Sequence, residues 1–148
     1  MDNPFNFKDV RIRLIKTKRV LPVKLANQAE RHFTEAFDKG GLDEFKWKEV
    51  NRRIPGEGAY KYPKKKGLSR RSKPILVMTG ELRRKVSRSI ISNTWQSVHL
   101  QVRDLDYAAR HNEGLNGMPA RPFMKQTRIL GNMQKQLIDQ QMKEIWGQ

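Results

Sequence analysis

Residues 41–74 hold few apolar positions and much turn punctuation, with PGEG, YP and KKKG among it. Glycine and proline at that density interrupt both helical and strand periodicity. The stretch is therefore expected to be a long loop between two ordered parts of the chain. Its second half is strongly basic. From Lys61 to Lys73 there are seven basic residues, Lys61, Lys64, Lys65, Lys66, Arg70, Arg71 and Lys73, and no acidic one. Tyr60 and Tyr62 stand at its start. Aromatic rings stack on bases while lysines meet phosphates, which makes 60–73 a candidate polyanion-binding segment. Charge alone supplies only sequence-independent attraction, and a solvated basic loop is the plainer reading.

The whole chain shares this bias. It has 148 residues, with 31 Lys and Arg against 15 Asp and Glu, a formal charge of +16. That length suits one domain with a modest core. The charge attracts polyanions and makes copies of the chain repel each other unless salt or an acidic partner intervenes. There is no cysteine, which excludes disulfides, thiolate metal sites and a cysteine nucleophile. The central apolar run Ile75-Leu76-Val77-Met78 is far short of the ~20 residues that cross a bilayer. The opening MDNPFNFKDV lacks a basic region followed by an apolar one, so it does not read as a secretory signal. A soluble protein of its producer's cytoplasm, with no membrane partner, is the expectation.

Around the loop the periodicities are clearer. Val10, Ile12 and Leu14 alternate with Arg11 and Arg13 as in a strand, while Phe7, Val10 and Leu14 also keep helical spacing. Residues 1–21 are thus an arm or short element, with a lean towards helix. From Pro22, a suitable first-turn residue, Val23, Ala26, Ala29, Phe33 and Phe37 predict a helix over 22–38, stopped by Gly40 and Gly41. Thr79 is placed to cap a short helix with Glu81 in its first turn and Leu82 and Val86 facing inward. Ile90 or Ile91 leads to Trp95, after which Val98, Leu100 and Val102 alternate with polar residues. That is strand language, and Ser92-Asn93-Thr94 would turn an antiparallel hairpin. Tyr107 to Asn112 are expected to form a short helix or a turn, with Asp106 placed to cap it. Phe123, Thr127, Leu130, Met133, Leu137, Met142 and Ile145 predict a long C-terminal helix despite Gly131.

Chemistry is thin. His32, His99 and His111 show no i, i+4 zinc pair, and the carboxylates form no recognisable metal loop. His111 with Glu113 is a weak acid–base pair, because near neighbours in sequence usually point apart and a placed acid or base needs more. There is no dinucleotide fingerprint, phosphate loop or serine elbow. No catalytic residue, metal or cofactor is expected. GMPARPFM, residues 117–124, is different in kind. Pro119 and Pro122 fix the backbone on either side of Arg121. Phe123 can pack inward while Arg121 reaches a carboxylate, backbone carbonyls or a neighbouring subunit.

Taken in order, Phe45-Lys46-Trp47, the segment Leu76 to Leu82, YAARHNEG at 107–114 and MPARPFM at 118–124 resemble the virion morphogenesis, or tail completion, family of tailed phages and Mu-like prophages. The residues that carry the resemblance are Trp47; Leu76, Thr79, Gly80 and Leu82; Tyr107, Ala108, His111 and Gly114; and Pro119, Ala120, Arg121, Pro122 and Phe123. It spans about residues 22–140. The basic loop departs from the family, which often has a negatively charged insertion near its tryptophan, and the N-terminal arm is unusual. The resemblance implies an α/β fold: a small antiparallel sheet packed against a long N-terminal helix and a C-terminal helix, in one domain over 22–148, to which this sequence adds the long basic loop read at 41–74. It implies a structural protein at the head–tail junction or tail terminus of the virion, made in the host cytoplasm. Its expected partners are copies of itself in a ring, commonly of six, with portal, adaptor and tail proteins, and non-specific contact with phage DNA. The residues of the four segments would then be interface or fold-determining positions. The alternative is a non-specific nucleic-acid-binding protein acting through 60–73.

Overall fold

The computed structural model of the chain describes residues 6–61 and 71–147. These residues are mainly helical. In chain order they form α1 (Phe7–Lys39), β1 (Gly41–Leu42), β2 (Phe45–Lys46), a 3-10 turn (Asn51–Arg53), α2 (Gly58–Lys61), α3 (Glu81–Val86), β3 (Ile90–Asn93), β4 (Val98–Gln101), α4 (Asp106–Glu113) and α5 (Arg128–Trp146). The strands form two separate two-stranded ladders, β1 with β2 and β3 with β4. In the first, Gly41 pairs with Lys46 and Leu42 with Phe45, antiparallel.

The expected α/β fold is therefore corrected. Among the described residues no single sheet packs against two long helices; strands of two to four residues in isolated pairs are too small to make a layer. The expected long basic loop is corrected too. Residues 41–61 are taken up by β1, β2, the 3-10 turn and α2, because Leu42 and Trp47 are buried and draw the backbone in with them. Of the basic residues, Lys64, Lys65, Lys66 and Arg70 lie outside the described residues.

The described residues gather into two compact units. The first comprises the chain up to Ala29, Ile90–Leu100 and the stretch from Gln126 onward; the second comprises Glu30–Ser89 and Gln101–Lys125.

The first unit is built on α5 and the leading part of α1. The expected start of the first helix at Pro22 is corrected to Phe7. Asn6 supplies the true cap: its Oδ1 accepts from the amides of Lys8 at 3.0 Å and Asp9 at 3.4 Å. Pro22 lies inside the helix, where its missing amide leaves one carbonyl without a helical donor. The two helices run antiparallel. Arg13 Nη1 donates to Ile145 O at 3.5 Å, Lys24 Nζ to Gln141 Oε1 at 3.1 Å and Gln28 Nε2 to Met133 O at 3.4 Å. Leu21, Leu130 and Ile145 are buried there. Thr127 caps α5 by accepting from Leu130 N at 3.1 Å, so Phe123 precedes that helix instead of opening it. The hairpin turns over 94–97, later than Ser92-Asn93-Thr94. Thr94 N donates to Ser97 O at 2.7 Å, and Thr94 Oγ1 accepts from Ser97 N at 3.1 Å.

The second unit holds the aromatic core. Phe37 is fully buried, with Trp47 edge-on at 5.4 Å and Phe123 at 5.7 Å between ring centroids. Leu42, Leu82 and Val86 complete it. Two expected caps are corrected here. Gly80, at φ 78, occupies the N-cap of α3, although Thr79 Oγ1 does accept from Glu81 N at 3.3 Å. Leu105 occupies that of α4, with Asp106 in the first turn.

Candidate functional site

The four segments picked out in the sequence meet in the second unit. Trp47, buried at the end of β2's extension, donates its indole N–H to Pro122 O at 2.7 Å. Arg121 answers from the other side. Its side chain is 5% exposed; Nε donates to Lys48 O at 2.9 Å and Nη2 to Glu49 O at 3.3 Å. Of the three destinations open to this arginine in the sequence, it takes backbone carbonyls of its own chain. Burial pushes its pKa down, and the charge of Glu49 partly opposes that. A hydrogen bond from the Val50 amide, together with one from Arg53, holds the Glu49 carboxyl below its usual range.

The end of α4 fastens the same loop. Arg121 N donates to His111 O at 2.7 Å. Asn112 makes three bonds: its Oδ1 accepts from Phe123 N at 2.9 Å and Met124 N at 3.0 Å, and its Nδ2 donates to Met124 O at 3.2 Å. A side-chain amide matches the donor and acceptor of a peptide group, so Asn112 serves the extended segment as a partner strand would. Sequence reasoning passed over Asn112, whose only signal is its place within YAARHNEG. Gly114 closes α4 at φ 75. A Cβ there would lie 2.8 Å from Ala120 N, so the approach of the two segments needs glycine. Pro119 is half-buried and Phe123 buried.

Beside this junction lies a cavity of about 380 Å3. Thr79, Leu82, Tyr107, His111 and Arg121 line it, all from the expected set. Leu76, from the segment matched in the sequence, lines it too, and four further lining residues were not foreseen: Val50, Arg52, Met78 and Glu81. Tyr107 meets the His111 ring edge-on at 5.9 Å. Burial, and then the charge of Glu81, raise the Tyr107 pKa. Burial, and then the charge of Arg121, lower that of His111, so its imidazole is neutral at neutral pH. Arg52 reaches across to the turn before α3, donating Nη2 to Pro74 O at 3.0 Å and Lys73 O at 3.3 Å.

Arg71 and Lys73 of the basic segment are engaged with their own chain. The guanidinium of Arg71 lies 3.8 Å over the Tyr60 ring and also donates to Tyr60 O. Lys73 Nζ donates to Met78 O at 2.7 Å. Lys61 ends α2. The remaining histidines are apart from the cavity residues. His32 Nε2 is 2.9 Å from Asp43 Oδ2, both buried, and His99 is exposed on β4. Among the described residues, no group of three or more His, Cys, Asp or Glu could hold a metal ion, and no helix is long and apolar enough to cross a membrane.

Comparison of the chain with models of protein families, with curated proteins and with solved structures gives no match.

Proposed function

We propose that this chain is a structural protein of phage virion assembly, joining head to tail as part of a connector or tail-terminator ring. The observation that carries the reading is the junction just described. Trp47, Thr79 to Leu82, Tyr107 to Gly114 and Pro119 to Phe123 are spread over just more than half of the chain. They nonetheless meet around one cavity and one set of bonds.

The first unit supports an assembly role by its surface. Ile12, Ile15 and Val23 are exposed on α1, and Ile138, Met142 and Trp146 on α5. The α5 residues recur every four positions, which lines them along one side of the helix. Apolar residues gathered in this way mark surfaces that are covered in an assembly. Copies carrying +16 each repel one another, so ring formation would need acidic portal, adaptor or tail surfaces, or DNA, beside it. Contact with DNA in a ring lumen would be weak, salt-sensitive and indifferent to sequence.

The test is electron microscopy of virions and assembly intermediates with this chain labelled, together with a strain that cannot make it. A ring of label at the head–tail junction or tail terminus, and unjoined heads and tails in the deficient strain, is the expected result. Joined, infectious particles without the chain would end the proposal and bring the nucleic-acid reading forward.

A further inference from the structure

The opening of α1 concentrates the charge of the first unit. From Lys8 to Arg19 there are six basic residues, Lys8, Arg11, Arg13, Lys16, Lys18 and Arg19, against one acid, Asp9. All lie on α1, and all are exposed. With about 3.6 residues per turn, Lys8, Arg11, Lys18 and Arg19 fall within one arc of about 100°. Between Phe7 and Val20, Ile15 is the one other residue in that arc. Thr17 and Leu21, the buried residues of the stretch, lie outside it, as does Asp9.

Within the described residues these four charges go unanswered. Lys8, Arg11, Lys18 and Arg19 take part in no ion pair with them. Asp9 is bonded to Asn6 Nδ2 at 2.9 Å. Lys18 holds its ammonium 5.7 Å from the centre of the exposed Trp95 ring. The hairpin tip that carries Trp95, Ser92 to Ser97, is uncharged. Arg71 and Lys73 of the segment 60–73 differ, since both already donate to carbonyls of their own chain.

The chemistry of the arc selects its partner. Lys8 and Arg11, three apart on a helix, repel each other, so a polyanion laid across them relieves a cost while adding attraction. At a rise of about 1.5 Å per residue, the row from Lys8 to Arg19 is about 16.5 Å long. Duplex DNA carries about ten charges over that length, one per ~1.7 Å of axis. Four cations therefore meet phosphates in any register and with any sequence. Both surfaces are stiff, so little ordering is needed on contact. The centre of a protein interface is poor in lysine and rich in apolar side chains, whereas this arc holds two lysines and a single isoleucine. A helix lying on a membrane needs a continuous apolar face, which the arc lacks.

We propose that the outer face of α1, through Lys8, Arg11, Lys18 and Arg19, is the principal surface by which this chain binds the phosphate backbone of double-stranded DNA. The surface belongs to the single chain, so it can hold or fail without bearing on whether heads and tails join.

The test is fluorescence anisotropy of a labelled mixed-sequence duplex titrated with the full chain over a range of salt concentrations. One variant combines Lys8→Gln, Arg11→Gln, Lys18→Gln and Arg19→Gln. Glutamine keeps good helix propensity at these exposed positions, and circular dichroism checks that α1 persists. A second variant removes the same number of charges from the other basic stretch, through Lys64→Gln, Lys65→Gln, Lys66→Gln and Arg70→Gln. The α1 variant should lose about three to four from the slope of log K against log salt, and at least about tenfold in affinity. The second variant should lose less than about one from the slope. Equal or greater loss in the second variant would overturn the proposal. Poly-glutamate competing as well as unlabelled duplex would overturn it in favour of an acidic protein surface. Tighter binding of a single strand, or equal binding to anionic phosphatidylglycerol vesicles, would overturn it too. An independent reading comes from the chain with its α1 cations intact. In a Trp146→Phe background, Trp47 is buried and Trp95 is the exposed indole. Duplex drawing Lys18 towards phosphate should change Trp95 emission, and saturable duplex binding that leaves this emission unmoved would count against α1 as the site.

Discussion

Replacing Arg121 by methionine isolates the bond between the proline loop and the segment after Trp47. Methionine keeps most of the aliphatic stem, so little cavity is created. What is lost is two hydrogen bonds. The Nε–Lys48 O bond at 2.9 Å is charge-assisted and worth about 1.5–3 kcal/mol. The longer Nη2–Glu49 O bond at 3.3 Å adds about 0.5–1 kcal/mol. Removing a buried charge returns some desolvation energy, in keeping with the downward push on the Arg121 pKa. The net expectation is a loss of about 2–3 kcal/mol. Arg121→Lys should recover part of it, since an ammonium can reach one carbonyl but not fork between two.

The assay is urea unfolding followed by tryptophan fluorescence. Trp47 is 4% exposed while Trp95 and Trp146 are 43% and 50% exposed. A Trp95→Phe, Trp146→Phe background therefore makes the signal report the second unit alone, which guards against separate unfolding of the two units. A loss below about 1 kcal/mol for Arg121→Met would refute the reasoning, because water would then be replacing the guanidinium at little cost. The same result would free Arg121 for an interface role.

Gly114→Ala should cost about 1–2 kcal/mol for the left-handed conformation and about 1–3 kcal/mol more for the contact with Ala120, read by the same denaturation curve; a change near zero would mean the two segments separate easily. Thr127→Ala should lose about 1 kcal/mol by uncapping α5, seen as a lower melting temperature with reduced helical circular dichroism. His111 has a folded pKa below its ordinary 6.5, so the unfolded chain binds the extra proton first. Its contribution to stability is intact above pH 6.5 and is lost as the pH falls through the folded pKa. His111→Gln should therefore flatten the drop in melting temperature between about pH 7.5 and pH 5; an unchanged drop would assign it to other groups.

The helix through Phe33 and Phe37, the hairpin, and the helices at 106–113 and 128–146 were all legible, because each has local periodicity and a nearby stop. The N-terminal extension was half legible: the lean towards helix agrees with the helix that begins at Phe7, but its continuity through Pro22 was not expected. Residues 10–14 satisfy two periods at once, and Pro22 reads as a helix start as readily as an interior residue. The Asn6 cap, bonded to two amides, was the deciding local signal. The span 41–61 was misread for a different reason. Its punctuation is real, but its structure is dictated by partners far along the chain: Trp47 is tied to Pro122, and Lys48 to Arg121. No local period carries information about bonds that span more than seventy residues. The cavity was half legible, since the resemblance brought Thr79, Leu82, Tyr107, His111 and Arg121 to notice without saying that they face a common space. Arg52 has no sequence signature of that kind, and the left-handed conformation of Leu76 exists only once the turn is folded.

The two prolines around Arg121 now have a physical reason. A guanidinium that must reach two successive carbonyls has little tolerance for backbone motion, because a shift of a few tenths of an ångström lengthens one bond as it shortens the other. Pro119 and Pro122 remove φ freedom on both sides of it, and Asn112 holds the residues that follow. Pro122 also offers the carbonyl that Trp47 needs. The stretch is thus a clamp within one chain, and any contribution it makes to assembly is indirect, through the cavity wall and the surface it holds in place. Loss of virion joining in an Arg121 variant would consequently be evidence about folding unless the variant's second unit is first shown to be intact, whereas Met78 and Tyr107, both partly exposed on the same cavity, are the positions at which a contact can be altered without disturbing the clamp.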